Sequence, residues 1–319
     1  MKKIFSEITH FYRTIEDHIP GLGKVSKCKF VAYSAVDFIV HGIGPSDYLL
    51  YEFWRKSNWE KRTFLAGKRF RLLQKVYNNS EKVCLFRDKR LFNKTFSIYI
   101  KRSWLYVNEC SINEFNDFID NHKTIFIKPV RGATGKGIRI LSNGEINDDN
   151  LFEKLKKENV ILEEKIMPGV LSEFNKGSCT NSLRIVTLLY NGKPYIKCAV
   201  LKMAFGNMPV DNLSSGGIAA VVDVDTGVVI SQGIDINKSR YIKHPQTGKQ
   251  IVGYKIPMWG KIVDVVKGAA GIVPEIRHVG WDVTINKNGE IVIIEGNHES
   301  APGILQEIDQ IGKRKMFHI

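Results

Sequence analysis

The segment from Gly280 to Asn297, GWDVTINKNGEIVIIEGN, constrains this chain more than any other. Asn-Gly between two β-rich runs is a strong hairpin signal, because both residues tolerate the positive φ of a tight primed turn. With Asn288-Gly289 as a two-residue turn, Asp282 lies directly opposite Glu295, and Asn297 follows on the same face. The other face then carries Val283, Ile285, Val292 and Ile294. Like charges facing each other across a ladder are unfavourable, so something positive must sit between the carboxylates. Two carboxylates and an amide oxygen suit a hard cation, with Mg²⁺ holding a phosphate as the expectation. The alternative is an exposed hairpin end with two solvated acids.

At 319 residues, 43% hydrophobic and 25% charged, the chain suits two or three globular domains. Its five cysteines (Cys28, Cys84, Cys110, Cys179, Cys198) are odd in number and show no CxxC spacing. That argues against a disulfide framework or a zinc site and for a reducing cytoplasm. The N-terminus has no apolar signal core, and no apolar run is long enough to cross a bilayer. A cytoplasmic protein, at most peripheral to the inner face of a membrane, is expected.

The formal charge of +14 is uneven. Residues 1–110 hold 21 Lys+Arg against 10 Asp+Glu, whereas the rest holds 26 against 23. Between Arg55 and Arg102 the cations interleave with Trp54, Trp59, Phe64, Phe70, Tyr77, Phe86, Phe92 and Phe96. Such a surface suits a polyanion: an anionic glycan, lipid headgroups or nucleic acid. A solvated basic face is the alternative.

Residues 1–110 read as a mainly helical basic region. Ser46-Asp47 is placed to cap a helix running through Tyr48, Leu49, Phe53 and Trp54. A second amphipathic stretch sets Leu65, Leu72 and Val76 on one side. Ser111 and Glu114 fit a capping box opening a helix that buries Phe115, Phe118 and Ile119. From residue 124 the texture changes to strand, Gly-rich loop, strand, helix and strand. A hairpin over 182–203 turning at Asn191-Gly192 follows, then a helix from Gly260 to about Gly271. The pattern is α+β: a small β-α unit and a larger, mostly antiparallel sheet.

Lys128-Pro129-Val130-Arg131-Gly132-Ala133-Thr134-Gly135-Lys136-Gly137 is the phosphate candidate, since its glycines let backbone N–H groups converge on an anion. It is neither a Walker A loop nor a dinucleotide fingerprint, and it can also be a plain turn. Glu163 and Glu164 end an apolar strand, where acids can accept from ribose hydroxyls or an adenine amine, or face water. Arg184 and Lys202 each interrupt an apolar arm of the 182–203 hairpin. A charge there is costly unless paired, so an acid or a phosphate must wait for it. Asp211 to Gly217 is a polar loop able to approach a ligand, or an ordinary turn. No histidine pair or Gly-x-Ser-x-Gly elbow supports hydrolase chemistry.

In order and spacing these elements resemble the ATP-grasp superfamily, and most closely its sugar-transfer-associated family. The resemblance rests on Ser46-Asp47-Tyr48, Phe126-Ile127-Lys128-Pro129, Gly135-Lys136-Gly137, the segment Asn181 to Thr187, Ser214-Ser215-Gly216-Gly217, His244-Pro245, Gly280-Trp281-Asp282-Val283 and Glu295-Gly296-Asn297. It implies an ATP-grasp fold, two α+β subdomains clasping ATP: residues 111–165 as the small one, 166–319 as the large one, behind the region 1–110. It also implies ATP and one or two Mg²⁺ ions as cofactors. Lys128, Arg131, Gly132, Thr134, Gly135, Lys136 and Gly137 would meet the phosphates. Glu163 and Ile166 would contact adenine, with Glu164 also in the nucleotide site, and Glu173 would contact the ribose. Asp282, Glu295 and Asn297 would bind the metal, and Arg184 and Lys202 would face the transferred phosphoryl. Asn212, Ser214, Ser215, Gly216 and Gly217 would face the substrate.

The activity so implied is ATP-dependent joining of a carboxylate to an amine through an acyl phosphate, on a sugar or cell-surface polysaccharide precursor such as a uronic acid. A small-molecule or sugar kinase is the second enzyme reading. A nucleic-acid-binding module ranks below both, because it leaves the opposed acids and the Gly-rich loop unexplained. Superfamily members usually begin with an α/β domain, and the helical basic start departs from that. The sequence does not fix an oligomeric state.

Overall fold

The computed structural model describes residues 11, 14–15, 19, 21–78, 80–132, 137–142, 150–175, 179–206, 211, 213–300 and 303–317. The chain forms two compact units, Met1–Asn78 with Ala301–Ile319, and Asn79–Ser300. Among the described residues no helix is long and apolar enough to cross a membrane.

The first unit is helical, with helices Lys24–His41, Pro45–Leu50, Asn58–Thr63, Gly67–Asn78 and Gly303–Asp309. Its core is aromatic: Phe30, Tyr48, Phe53 and Phe64 are buried together, and edge-to-face contacts such as Phe53–Phe64 at 5.0 Å order them. The C-terminal segment is tied in by Gln306, whose Oε1 accepts from Leu65 N at 2.8 Å and Lys313 N at 3.1 Å. Two expectations fail here. Asp47 does not cap the helix, which begins at Pro45 after Gly44; its carboxylate instead accepts from Gly67 N at 2.9 Å. Helix Gly67–Asn78 buries Leu73 and Tyr77, while Leu72 and Val76 are exposed. Both pairs have i,i+4 spacing, and only the neighbouring core chooses between them.

The second unit holds two sheets. The strands are β1 (Trp104–Tyr106), β2 (Thr124–Pro129), β3 (Arg139–Ser142), β4 (Val160–Glu164), β5 (Ser182–Tyr190), β6 (Lys193–Met203), β7 (Ile218–Val222), β8 (Gly233–Ile234), β9 (Arg240–Tyr241), β10 (His278–Ile285) and β11 (Ile291–Asn297). The small sheet has the order β1-β4-β2-β3 and the large one β11-β10-β5-β6-β7-β8-β9. Helices Ile112–Asn121 and Leu151–Glu158 cover the small sheet through Phe115, Ile119 and Leu155. The first carries the expected Ser111–Glu114 capping box. Helix Trp259–Ala270 covers one face of the large sheet, burying Ile262 and Val266 against strand residues such as Ile185, Leu201 and Val283. Each fully buried aliphatic side chain of this kind is worth about 1.5–3 kcal/mol.

The β5–β6 hairpin turns as its sequence dictates: Tyr190 pairs with Lys193, and Asn191 and Gly192 take φ of +49° and +72°. The β10–β11 hairpin does not turn on two residues. Asn286 Oδ1 accepts from Asn288 N at 3.0 Å and Glu290 N at 2.9 Å, and Asn286 N donates to Glu290 O at 2.9 Å. That side chain captures the backbone and leaves a three-residue connection, with only Gly289 at positive φ, +76°. The ladder is therefore offset by one residue, with Val283 opposite Ile293 and Ile285 opposite Ile291. A bulge at Ile294 cancels the offset, and Asp282 does face Glu295. The apolar partners of Val283 and Ile285 are thus Ile293 and Ile291, not Ile294 and Val292.

Candidate functional site

Strand period gives the large sheet two different faces. Leu183, Ile185, Leu201, Trp281, Val283 and Ile293 enter the core, so Ser182, Arg184, Lys202, Asp282, Glu295 and Asn297 point the other way. Arg184 and Asp282 are direct partners across the β5–β10 ladder. Their pairing is bidentate, Arg184 Nε to Asp282 Oδ1 at 2.5 Å and Nη2 to Oδ2 at 2.9 Å. Lys202 Nζ lies 3.2 Å from Asp282 Oδ2 and 3.6 Å from Asp211 Oδ1, and Ser182 Oγ donates to Asp211 Oδ2 at 2.5 Å. The acids required by two cations in apolar strands are therefore Asp282 and Asp211.

Burial alone would raise the Asp282 pKa, but the charges of Arg184 and Lys202 outweigh it and hold the carboxyl well below its usual range. Burial weakens Arg184, and Asp282 more than compensates, so its guanidinium is held charged even more firmly than usual. Lys202 is raised despite burial, by Asp211 and Asp282. Asp211 is itself raised, since burial exceeds the help from Lys202 and Ser182. Asp282 and Glu295 are direct partners across the β10–β11 ladder, and like charges so placed favour a cation between them. Gly280 makes room for this cluster: a Cβ there would stand 2.1 Å from Ser300 Oγ and 3.1 Å from Arg184 Cδ.

On the small sheet, Lys128 (β2) reaches Glu163 (β4), Nζ to Oε2 at 2.5 Å. Arg102 donates to both Glu163 oxygens at 3.1 Å, and Asn93 Nδ2 donates to Oε1 at 3.0 Å. Burial pushes the Glu163 carboxyl up, but Arg102 and Lys128 pull it far below the usual value. Its carboxylate is thus committed to side chains of this chain. A cavity of about 300 Å³ opens beside it, lined by Lys128, Arg131 and Gly132 from one side and by Glu295 and Asn297 from the other. Lys89 also lines it, donating from Nζ to Gly132 O at 3.1 Å. Burial lowers the Lys89 pKa, with Glu295 acting against that shift and Lys128 reinforcing it.

Of the residues singled out from sequence, Lys128, Arg131, Gly132, Glu163, Glu295 and Asn297 line this cavity, and Arg184, Lys202 and Asp282 adjoin it through Glu295. Thr134, Gly135, Lys136 and Asn212 lie outside the described residues, as does the Ser214 side chain. Gly137, at φ +77°, leads into β3. Glu164 faces away from Glu163, as strand alternation requires, and accepts from Ser103 N at 3.0 Å. The Ile166 carbonyl accepts from Thr180 Oγ1 at 3.0 Å. Glu173 is paired with Lys249 and Tyr254 and does not line the cavity. Ser215, Gly216 and Gly217 follow Asp211 into β7. Asp211, Lys89, Asn93 and Arg102 were not singled out. Only Asp211 had a local signal, standing in the polar loop that follows Lys202.

The donor set fits a hard divalent cation. Asp282 and Glu295 face each other across one ladder step, and Asn297, two residues along, donates from Nδ2 to Glu295 Oε1 at 3.0 Å, leaving its own amide oxygen as a donor to metal. Among the described residues no cluster of three His, Cys, Asp or Glu side chains suits a metal. Phosphate or water oxygens would have to complete the shell.

Two antiparallel sheets thus present a lysine–carboxylate pair, a cation–carboxylate cluster and a cavity lined by residues of both. The chain belongs to the sugar-transfer associated ATP-grasp family, whose family model matches residues 68–316. Among solved structures, the ATP-grasp ligase PsnB complexed with minimal precursor is 14% identical, covering 70% of this chain and 56% of that one at a TM-score of 0.44. PsnB complexed with a phosphomimetic variant of minimal precursor, Mg and ADP is 14% identical, covering 86% and 72% at 0.47. D-alanyl-alanine synthetase A from Vibrio cholerae is 11% identical, covering 72% and 60% at 0.40. The chain thus spans little more than half of the first of these chains and under two thirds of the third. No curated protein matches the chain significantly.

Proposed function

We propose that this protein is an ATP- and Mg²⁺-dependent carboxylate–amine ligase that works through an acyl phosphate on a sugar or cell-surface polysaccharide precursor. One observation carries the reading: Glu295 is both the cross-strand partner of Asp282, which holds Arg184 and Lys202, and a lining residue of the cavity formed with Lys128, Arg131 and Gly132. A triphosphate along that cavity runs from the small-sheet cations to the large-sheet carboxylates. Lys128, released from Glu163, binds phosphate oxygens beside the loop that begins at Arg131. Arg184 and Lys202 face the transferred phosphoryl and stabilise the charge it develops. Asp282, Glu295 and Asn297 would hold Mg²⁺, which when bound neutralises phosphate charge.

In the first step a carboxylate oxygen of the substrate attacks the γ-phosphorus and ADP leaves. An amine nitrogen then attacks the acyl carbon, the acyl C–O bond breaks so that inorganic phosphate leaves with its electron pair, and the proton of the nitrogen passes to that phosphate. No protein nucleophile is required, which suits a site built from cations and carboxylates. The substrate binds toward Asn212 and Ser214–Gly217. The basic stretch within residues 1–110 meets an anionic glycan or membrane surface.

Two measurements test this. ATP with Mg²⁺ raises the unfolding temperature of the wild type, and Glu295→Gln abolishes the metal-dependent part. Hydroxylamine added to ATP, enzyme and a uronic acid yields a hydroxamate; turnover of ATP with none formed would replace the ligase with a kinase. Lys/Arg→Glu changes across residues 55–75 that leave turnover on the true acceptor intact would remove the role given to the basic stretch.

A further inference from the structure

Arg102 makes two sets of contacts that nothing in the reaction requires, and both end at the site. Its Nε and Nη2 meet the two carboxylate oxygens of Glu163 on β4. Its Nη1 and Nη2 donate to Ile293 O and Ile294 O of β11, each at 2.9 Å. The side chain is 3% exposed. Successive carbonyls of a regular strand point to opposite edges, so one guanidinium cannot collect two of them. It can do so here because Ile294 is the extra residue of the bulge.

The bulge decides which way Glu295 points. Continuing the register of Val283↔Ile293 without it would set Asp282 against Ile294. Glu295 would then lie across from Trp281 and turn toward the apolar face, since a one-residue slip exchanges faces. Gly296 shows how full that side is: a Cβ there would be 2.8 Å from Phe92 and 3.1 Å from Trp281. With Ile294 in the chain, the carboxylate pair that would hold metal therefore forms only while the bulge does.

We propose that Arg102 is the positioning residue of this site: by taking the two bulge carbonyls it keeps Glu295 opposite Asp282, and by holding Glu163 it ties that bulge to β4, the neighbour of the strand that carries Lys128. The inference rests on the ligase reading of the site and adds a specific cause for its metal dependence. It requires the fork of four N–H donors, which a lysine ammonium lacks.

The test is Arg102→Lys, with unfolding temperature followed in ATP against increasing Mg²⁺. The wild type first establishes a Mg²⁺-dependent stabilisation; its absence would defeat the ligase reading and not this one. Given that response, Arg102→Lys raises the Mg²⁺ concentration at half-effect by tenfold or more, and amide exchange at residues 293–296 speeds up. A midpoint and exchange rates equal to wild type would overturn the proposal. Deleting Ile294 in the variant supplies a second readout. It makes the ladder regular while leaving Glu295 opposite Asp282, so the Mg²⁺ midpoint returns toward wild type, and folding returns too if Arg102→Lys alone had lost it. A deletion that restores neither would also overturn the proposal.

Discussion

Each sheet of the larger unit sets a buried carboxylate against two cations, and the two arrangements differ in what they leave free. Glu163 accepts from Arg102 twice, from Lys128 and from Asn93, which fills the roughly four acceptor sites of a carboxylate. Lys128 is one donor among four and can leave for a phosphate while the carboxylate stays satisfied. Asp282 depends on Arg184 and Lys202 and faces Glu295 across the ladder. The small-sheet pair thus holds a detachable cation, whereas the large-sheet cluster is a fixed assembly.

Removing one cation from each sheet tests that contrast directly. Arg184→Met leaves Lys202 alone among Asp211, Asp282 and Glu295, and breaking such a buried pair costs about 3–5 kcal/mol; urea unfolding reads it. Lys128→Met leaves Glu163 with Arg102 and Asn93, so the same measurement shows a loss of about 1 kcal/mol. Its larger effect is on turnover, which falls by about 100-fold or more as a phosphate-facing charge disappears. Equal destabilisation by the two variants would erase the distinction between the sheets.

Acid sensitivity sharpens it further. Burial pushes His278, at the start of β10, down to about 3. A lowered pKa means that the unfolded chain binds the proton first. The stability tied to neutral His278 is therefore present above about pH 6.5 and is lost as pH falls toward 3. Between pH 6.5 and 5 that amounts to about 2 kcal/mol, and His278→Asn flattens the limb. Glu163 and Asp282 are depressed carboxyls, so their contribution holds above about pH 4 and is lost only at lower pH. Smallest is the effect of the two turn glycines. Gly192→Ala and Gly289→Ala each force a side chain to φ above +70°, costing about 1 kcal/mol while leaving the Mg²⁺ midpoint of the ATP response unchanged.

Much of the large sheet was legible because its signals are local. The Asn191-Gly192 turn, the charges that break an apolar run and the alternation that puts Arg184 and Asp282 on one face are written within a few residues. The Asp282–Glu295 opposition was reached with an incomplete reason, since neither the three-residue connection built on Asn286 nor the bulge at Ile294 has a signature in the alternation of β11. Arg102 and Asn93 gave no signal. Each sits in a segment with many cations or polar groups, and only one partner far along the chain distinguishes it. Helix Gly67–Asn78 makes the same point in the smaller unit, where Leu72/Val76 and Leu73/Tyr77 were equivalent on a helical wheel.

Taken alone, the sequence determined which strands carry charge, where the β5–β6 hairpin turns and which acids face each other, because these follow from short-range φ preferences and a period of two. The tertiary structure decided which of those charges meet: that Glu163 is saturated by Arg102, Lys128 and Asn93, that Asp211 joins Lys202, and that a bulge restores the register of Glu295. Those outcomes depend on desolvation and on donors brought together from distant segments, and the cost of an unpaired buried charge is set only when the chain has packed around it.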